Sequence, residues 1–68
     1  MLNKIASLDN ALKSLRLNQT DDALEIFHEI LKFDPKNLNV LTQISNIYRA
    51  KKNIRKYNFY LRKISIID

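Results

Sequence analysis

The sequence offers few side chains that could catalyse a reaction. Glu25 and Glu29 are four residues apart, which places two carboxylates side by side on a helix. They lie among charged residues, so the pattern predicts an exposed helix face and not a buried acid–base pair. His28 is the only histidine, and the chain has no Cys and no Gly. Histidine or thiolate metal sites, histidine-relayed nucleophiles and glycine-rich phosphate loops are therefore excluded. We expect a protein that is not an enzyme and that uses no metal and no cofactor.

Charge and aromatic residues suggest one class of partner. Residues 1–34 carry a net charge of −2 and residues 35–68 a net charge of +7. In the basic half, aromatic residues that could stack on bases lie among cations that could neutralise phosphates: Tyr48, Tyr57, Phe59 and Tyr60 among Arg49, Lys51, Lys52, Arg55, Lys56, Arg62 and Lys63. Binding of nucleic acid or another polyanion is therefore the alternative function. A row of charges is more often a solvated helix face, and Tyr48 and Tyr57 also fit a core pattern.

Length and composition predict one small folded domain. A chain of 68 residues is long enough for a single domain, and 46% hydrophobic with 28% charged residues is typical of a folded protein. No apolar run approaches the roughly 20 residues that a membrane span needs. The first thirteen residues contain Asp9 and no continuous apolar stretch, unlike a secretory signal. We expect a cytoplasmic protein that does not bind membranes.

Apolar residues recur every three or four positions, which predicts an all-α fold of four antiparallel helices. The predicted apolar faces are Leu2, Ile5, Leu8, Leu12 and Leu15 on the first helix; Ala23, Phe27, Ile30 and Leu31, with Ile26 and Phe33 beside them, on the second; Leu38, Leu41, Ile44 and Tyr48 on the third; and Ile54, Tyr57, Leu61 and Ile64, with Tyr60 and Ile67 beside them, on the fourth.

Local signals predict where these helices begin and end. Asn18 tolerates the left-handed conformation that often ends a helix, and Thr20 is a good cap for the second helix. Pro35 ends the second helix because the residue before a proline is pushed out of helical geometry. Asn37 can cap the third helix. Residues 50–53 form a polar hinge before the fourth.

A set of residues in the second half of the chain follows the first half at an interval of 34 positions. Its members are Ala23, Phe27, Ile30, Asp34 and Pro35; Leu41, Ile44, Ser45 and Tyr48; and Tyr57, Leu61, Ile64 and Asp68. This set resembles the tetratricopeptide repeat family, whose repeats are helix–turn–helix units of 34 residues. The resemblance implies one domain over residues 1–68 with two stacked repeats, at about 4–37 and 38–68. Tyr57 departs from the pattern, because it is bulky where the first repeat has the small Ala23.

The resemblance also implies what the domain does. Proteins of this family bind peptides or partner proteins on a concave surface formed by the first helix of each repeat. The residues expected to bind a partner there are Leu8, Leu12, Arg16, Asn39, Thr42, Gln43, Asn46 and Arg49. Amide and guanidinium groups can hold the backbone or carboxylate of an extended peptide. The family's clamp for acidic C-terminal tails is expected to be absent, because Leu8 and Leu12 occupy its positions in the first repeat. An apolar groove would suit an amphipathic helix, as in a small chaperone or assembly adaptor.

The leucine stripe of the first helix has two possible orientations. Strict alignment at 34 residues places Ser7, Asn10, Ala11 and Ser14 in the core and turns the leucines toward the concave surface. Alternatively, the link near Asn18 is one residue short and the leucines enter the core. We favour the second orientation, because hydrophobic stripes usually form core.

The end of the fourth helix is apolar where the tetratricopeptide family usually has a polar capping helix. The expected contact residues are Phe59, Ile64, Ile66 and Ile67. Soluble proteins rarely leave such a patch open. We therefore expect a second copy of the chain or a helix of another protein to cover it, giving a homodimer or a hetero-oligomer.

Overall fold

The computed structural model describes residues 7–67, and within that range all regular structure is helical. The helices are α1 (Leu8–Arg16), α2 (Thr20–Phe33), α3 (Leu38–Ala50) and α4 (Ile54–Ile67). The predicted all-α fold of four helices is confirmed. Leu2 and Ile5, predicted on the first helix, and Asp68 lie outside the described residues.

Side-chain caps fix the beginning of α1, α3 and α4. The amide of Asn10 donates to Oγ of Ser7 (3.2 Å), and the amide of Val40 donates to Oδ1 of Asn37 (3.0 Å). Asn53 accepts in the same way from the third residue of α4, at 3.2 Å. Each bond satisfies an amide that lacks a partner within its helix. The predicted cap at Asn37 is confirmed.

The boundaries of α2 differ slightly from the prediction. Gln19 is the N-cap residue and makes no side-chain capping bond, so Thr20 is the first helical residue and not the cap. Asp21 and Asp22 lie in the first turn, where negative charge is favourable against the helix dipole. The helix ends at Phe33, directly before the Asp34–Pro35 step, as predicted.

α1 and α3 end in the same way, in a left-handed residue. Asn18 has φ 60° and Lys52 has φ 62°. In each case the next residue donates its amide to a carbonyl five residues earlier, at 2.8 Å after α1 and 2.9 Å after α3. This is the Schellman motif, which satisfies the last carbonyls of a helix. The predicted break at Asn18 is therefore confirmed, and Lys52 makes the equivalent break in the polar hinge.

Helix boundaries recur at a spacing of 34 residues. α1 ends at residue 16 and α3 at residue 50, whereas α2 covers residues 20–33 and α4 covers residues 54–67. The left-handed residues, 18 and 52, have the same spacing. So do the buried small residues Ala11 and Ser45. The 34-residue interval seen in the sequence therefore has a counterpart in the backbone.

The chain divides into two compact units, Met1–Pro35 and Lys36–Asp68. α1 packs against α2 in the first unit, and α3 packs against α4 in the second. Links of three residues join the two helices of each unit, so that each pair forms an antiparallel hairpin. The division falls two residues before the predicted boundary between repeats. That the two units are repeats of one domain stays a prediction.

The core of the first unit is centred on Ala11 and Phe27, not on the leucine stripe. Both side chains are 0% exposed, whereas the leucines of α1 keep part of their surface in solvent. The orientation favoured from the sequence is therefore wrong. With Ala11 turned fully inward, Leu15, Leu8 and Leu12 lie about 40°, 60° and 100° from it around the helix, all on one side. Their side chains accordingly reach the core only in part.

Two further predictions for α2 need correction. Ile26, placed beside the apolar face, is buried at 4% exposure. Phe33, placed there too, is 87% exposed. It is the last residue of the helix, so its ring extends past the end of the packed face. Ala23 and Phe27 are buried as predicted.

α3 supplies the core of the second unit. Leu41, Ile44 and Tyr48 are buried as predicted, and Ser45 is buried with its hydroxyl donating to the carbonyl of Thr42 at 2.8 Å. The prediction missed two further buried residues, Val40 and Ile47, and it was wrong to include Leu38, which is 37% exposed. Leu38 is the first residue of α3, so it lies at the edge of the packed surface.

α4 buries none of its residues. Tyr57, Tyr60, Ile64 and Ile67 are partly buried, while Ile54 and Leu61 are 56% and 38% exposed. The predicted core role of Ile54 and Leu61 is therefore wrong. They lie on one flank of the α3-facing side, where contact with α3 covers them incompletely.

Candidate functional site

The acidic residues and His28 of α2 form no catalytic cluster. Among residues 7–67, no group of three or more His, Cys, Asp or Glu side chains is placed to hold a metal ion. Glu29 accepts from the ammonium group of Lys32 at 2.9 Å, a surface ion pair within one helix. His28 and Glu25 are exposed, so neither carboxylate lies in the dry environment that acid–base catalysis requires.

α3 presents one continuous polar face, formed by Asn39, Thr42, Gln43, Asn46 and Arg49. Four of the five side chains are exposed, and that of Gln43 is partly buried. On an ideal helix they cover about 120° of the circumference. The other side of the same helix carries Val40, Leu41 and Ile44, which are at most 1% exposed. The polar face is therefore held on a helix whose rotation is fixed by the core, a suitable base for hydrogen bonding to an extended peptide.

The first unit contributes a separate surface. Leu8 and Leu12 lie on one side of α1 and are partly exposed, and Arg16 is exposed beside them. Leu15 also remains partly exposed on this side. This stripe combines apolar contact area with one guanidinium group, a combination that suits the side chains and carboxylates of a bound segment.

α4 presents a second surface of the second unit, which we call the outward face of α4. It consists of Phe59 and Ile66, flanked by Arg55 and Arg62 on one side and by Lys56 and Lys63 on the other. All six side chains are exposed. Phe59 and Ile66 are 54% and 78% exposed, whereas Ile64 and Ile67 are partly buried. Of the four residues predicted to make oligomer contacts, only Phe59 and Ile66 therefore point fully outward.

Aromatic contacts organise the N-terminal half of this face. The rings of Tyr48 and Tyr60 stack with centroids 5.8 Å apart, and the ring of Phe59 meets that of Tyr60 edge-on at 5.1 Å. The ammonium groups of Lys56 and Lys63 lie 5.3 Å from the Tyr48 ring and 4.9 Å from the Phe59 ring, respectively, at cation–π distance. Burial raises the pKa of the Tyr60 hydroxyl, and the neighbouring Tyr48 raises it further.

These contacts bear on the nucleic-acid alternative. Stacking on a base needs an accessible ring face. Tyr48 is 9% exposed and stacks on Tyr60, and a lysine ammonium lies over the ring of Phe59. The aromatic rings are thus engaged with one another and with the cations that would accompany them to a nucleic acid.

A shallow cleft of about 300 Å³ opens on the same face. Arg55, Lys56, Phe59 and Tyr60 line it. Sequence reasoning picked out Phe59 and Ile66 but assigned no role to the cations beside them. The signal was present in the sequence, because the pair Arg-Lys recurs after seven residues, at 55–56 and at 62–63, in step with Phe59 and Ile66.

No helix within residues 7–67 has the length and apolar character needed to cross a lipid bilayer. A comparison of the chain with protein-family models, with curated proteins and with solved structures finds no match in any of the three.

Proposed function

We propose that this chain is a non-catalytic protein-interaction module of the tetratricopeptide type, which binds a peptide or an amphipathic helix of a partner protein. The polar face of α3 carries this proposal. It is a continuous row of amides, a hydroxyl and a guanidinium group, mounted on a helix whose opposite side is fully buried. Such groups recognise the backbone and carboxylates of an extended segment. The partly exposed leucines of α1 would add apolar contacts.

The 34-residue spacing of helix boundaries supports the repeat assignment. Two helix pairs with matching ends, matching left-handed residues and matching buried small residues are what a repeated helix–turn–helix unit requires. In this family the first helix of each pair carries the binding surface, which corresponds here to α1 and α3. A small chaperone or assembly adaptor is the role that such a module would fill.

The experiment begins with a library of random peptides displayed on phage and selected on the immobilised full chain. A selected peptide, synthesised with a fluorescent label, is then titrated with the chain, and its contacts are mapped by amide chemical-shift changes. We expect the changes to centre on the polar face of α3. The double variant Asn46→Ala/Arg49→Ala should weaken binding about 10-fold or more, because truncating a charged contact and an amide contact removes the groups that hold the peptide.

A matched control is available on α4. Arg55→Ala/Asn58→Ala removes the same two residue types from exposed positions outside the polar face, and it should leave the affinity for this peptide unchanged. Equal losses in the two double variants, or shift changes confined to other surfaces, would contradict the proposed role of α3.

A further inference from the structure

The outward face of α4 has a chemical character different from that of the polar face of α3. Two apolar side chains, Phe59 and Ile66, stand seven residues apart, or about 10.5 Å along the helix. Each is flanked on both sides by a cation, and α4 contains no acidic residue. The face is therefore a narrow apolar row between two positive rows, repeated once every two helical turns.

We propose that the outward face of α4 is a second docking site, and that its occupant is an acidic amphipathic helix of another protein. An occupant with apolar side chains seven residues apart would place them against Phe59 and Ile66. Acidic residues on either side would then meet the rows Arg55/Arg62 and Lys56/Lys63, as the charged positions beside the seam of a coiled coil do. The cleft of about 300 Å³ beside Phe59 would accept one anchoring side chain of the occupant.

Contacts within α4 prepare this face for binding. The Phe59 ring rests edge-on against Tyr60, and the Lys63 ammonium group lies 4.9 Å from its centroid. A ring already held in place loses less conformational freedom on binding than a mobile one. The apolar row is thus ordered before the occupant arrives.

Charge argues against a second copy of the chain as the occupant. Two α4 helices placed face to face would bring four cations against four cations, and like charges across an interface are strongly unfavourable. The acidic helix α2 of a second copy offers negative charge, but Glu25 and Lys32 occupy the centre of its exposed face, where an apolar row would be needed. A membrane is a poorer fit too, because two outward apolar side chains give little area to insert into lipid.

The test uses a defined probe. A synthetic helical peptide of about 18 residues carries two leucines seven residues apart, each flanked by glutamates, and a control peptide of the same composition carries its glutamates on the opposite face. Binding to the full chain is measured by fluorescence anisotropy at low salt and at about 0.3 M salt. We expect the first peptide to bind, the control to bind at least about 10-fold more weakly, and added salt to weaken the first complex.

Two variants locate the site. Phe59→Ser/Ile66→Ser should weaken binding about 10-fold or more, whereas Phe33→Ser, at an 87% exposed phenylalanine of α2, should not change it. Arg62→Glu/Lys63→Glu should weaken binding at least as much, and the single reversal Lys36→Glu, at an exposed lysine outside α4, should have little effect. The charge variant keeps every apolar residue, so it tests the site even if the serine variant loses helical structure.

Four results would overturn the proposal: equal binding of the two peptides, loss of binding in Phe33→Ser equal to that in the α4 variants, a chain that light scattering shows to be dimeric through α4 without peptide, or displacement of the peptide by phosphatidylserine vesicles or an RNA oligonucleotide. The site is separate from the polar face of α3. Asn46→Ala/Arg49→Ala should therefore leave this peptide's affinity unchanged, and either proposal can fail alone.

Discussion

The two phenylalanines of α2 provide a direct test of the packing described above. Phe27 is 0% exposed and Phe33 is 87% exposed, although they stand six residues apart on the same helix. Replacing Phe27 by Ala removes a fully buried ring and leaves a cavity, which typically costs about 3–5 kcal/mol. The whole free energy of unfolding for a chain of this size is about 3–10 kcal/mol. Phe27→Ala should therefore leave a large fraction of the chain unfolded at 25 °C.

Phe33→Ala is the matched control. It makes the same chemical change in the same helix, and the higher helix propensity of alanine applies at both positions. With little surface lost from the core, we expect a change within about 0.5 kcal/mol. Urea denaturation followed by circular dichroism at 222 nm gives both values. Similar losses at the two positions, or a larger loss for Phe33→Ala, would refute the assignment of Phe27 to the core.

Three smaller perturbations test local features of the second unit. Asn37→Ala removes the cap of α3 and should lower the free energy of unfolding by about 1 kcal/mol, whereas Asn39→Ala, on the polar face, should not lower it; thermal melts compare the two. Lys52→Gly relieves the left-handed conformation and should stabilise the chain by about 0.5 kcal/mol, whereas Lys51→Gly, at φ −79°, should destabilise it in urea titrations. Burial raises the folded-state pKa of Tyr60, so its contribution to stability is complete below about pH 10 and is lost as the pH rises through the raised value. In urea titrations between about pH 8 and 11, Tyr60→Phe should therefore lose less stability with rising pH than the unaltered chain, and an equal or greater loss would contradict this role.

Helix boundaries could be predicted because their signals are local. Pro35 forbids helical geometry in the residue before it, and Asn37 has a side-chain oxygen at the right distance from the next free amide. Asn18 adopts the left-handed conformation that its side chain makes less costly. These effects act over four or five residues, so the sequence around each position is sufficient to reveal them.

The rotation of each helix could not be predicted in the same way. In α1 the spacing of Leu8, Leu12 and Leu15 defines an apolar stripe, but the centre of burial depends on where the neighbouring helix lies, and it is Ala11. The polar face of α3 was predicted correctly as exposed, because its opposite side is uniformly apolar. α4 has apolar residues on both sides, so its pattern could not separate the partly buried Ile64 from the exposed Ile66.

α4 has an unusual balance between its two sides, and this links binding to folding. A helix in a protein owes most of its stability to packing of its apolar face, yet none of the α4 residues is buried. Its largest outward apolar groups, Phe59 and Ile66, add nothing to that packing while they remain in solvent. A helix laid over them would bury both and hold α4 in place. A ligand at about 100 times its dissociation constant stabilises the folded state by about 2.7 kcal/mol, a substantial part of the total for a chain this small. The exposed apolar row that weakens the free unit is thus the same feature that would give a partner its affinity.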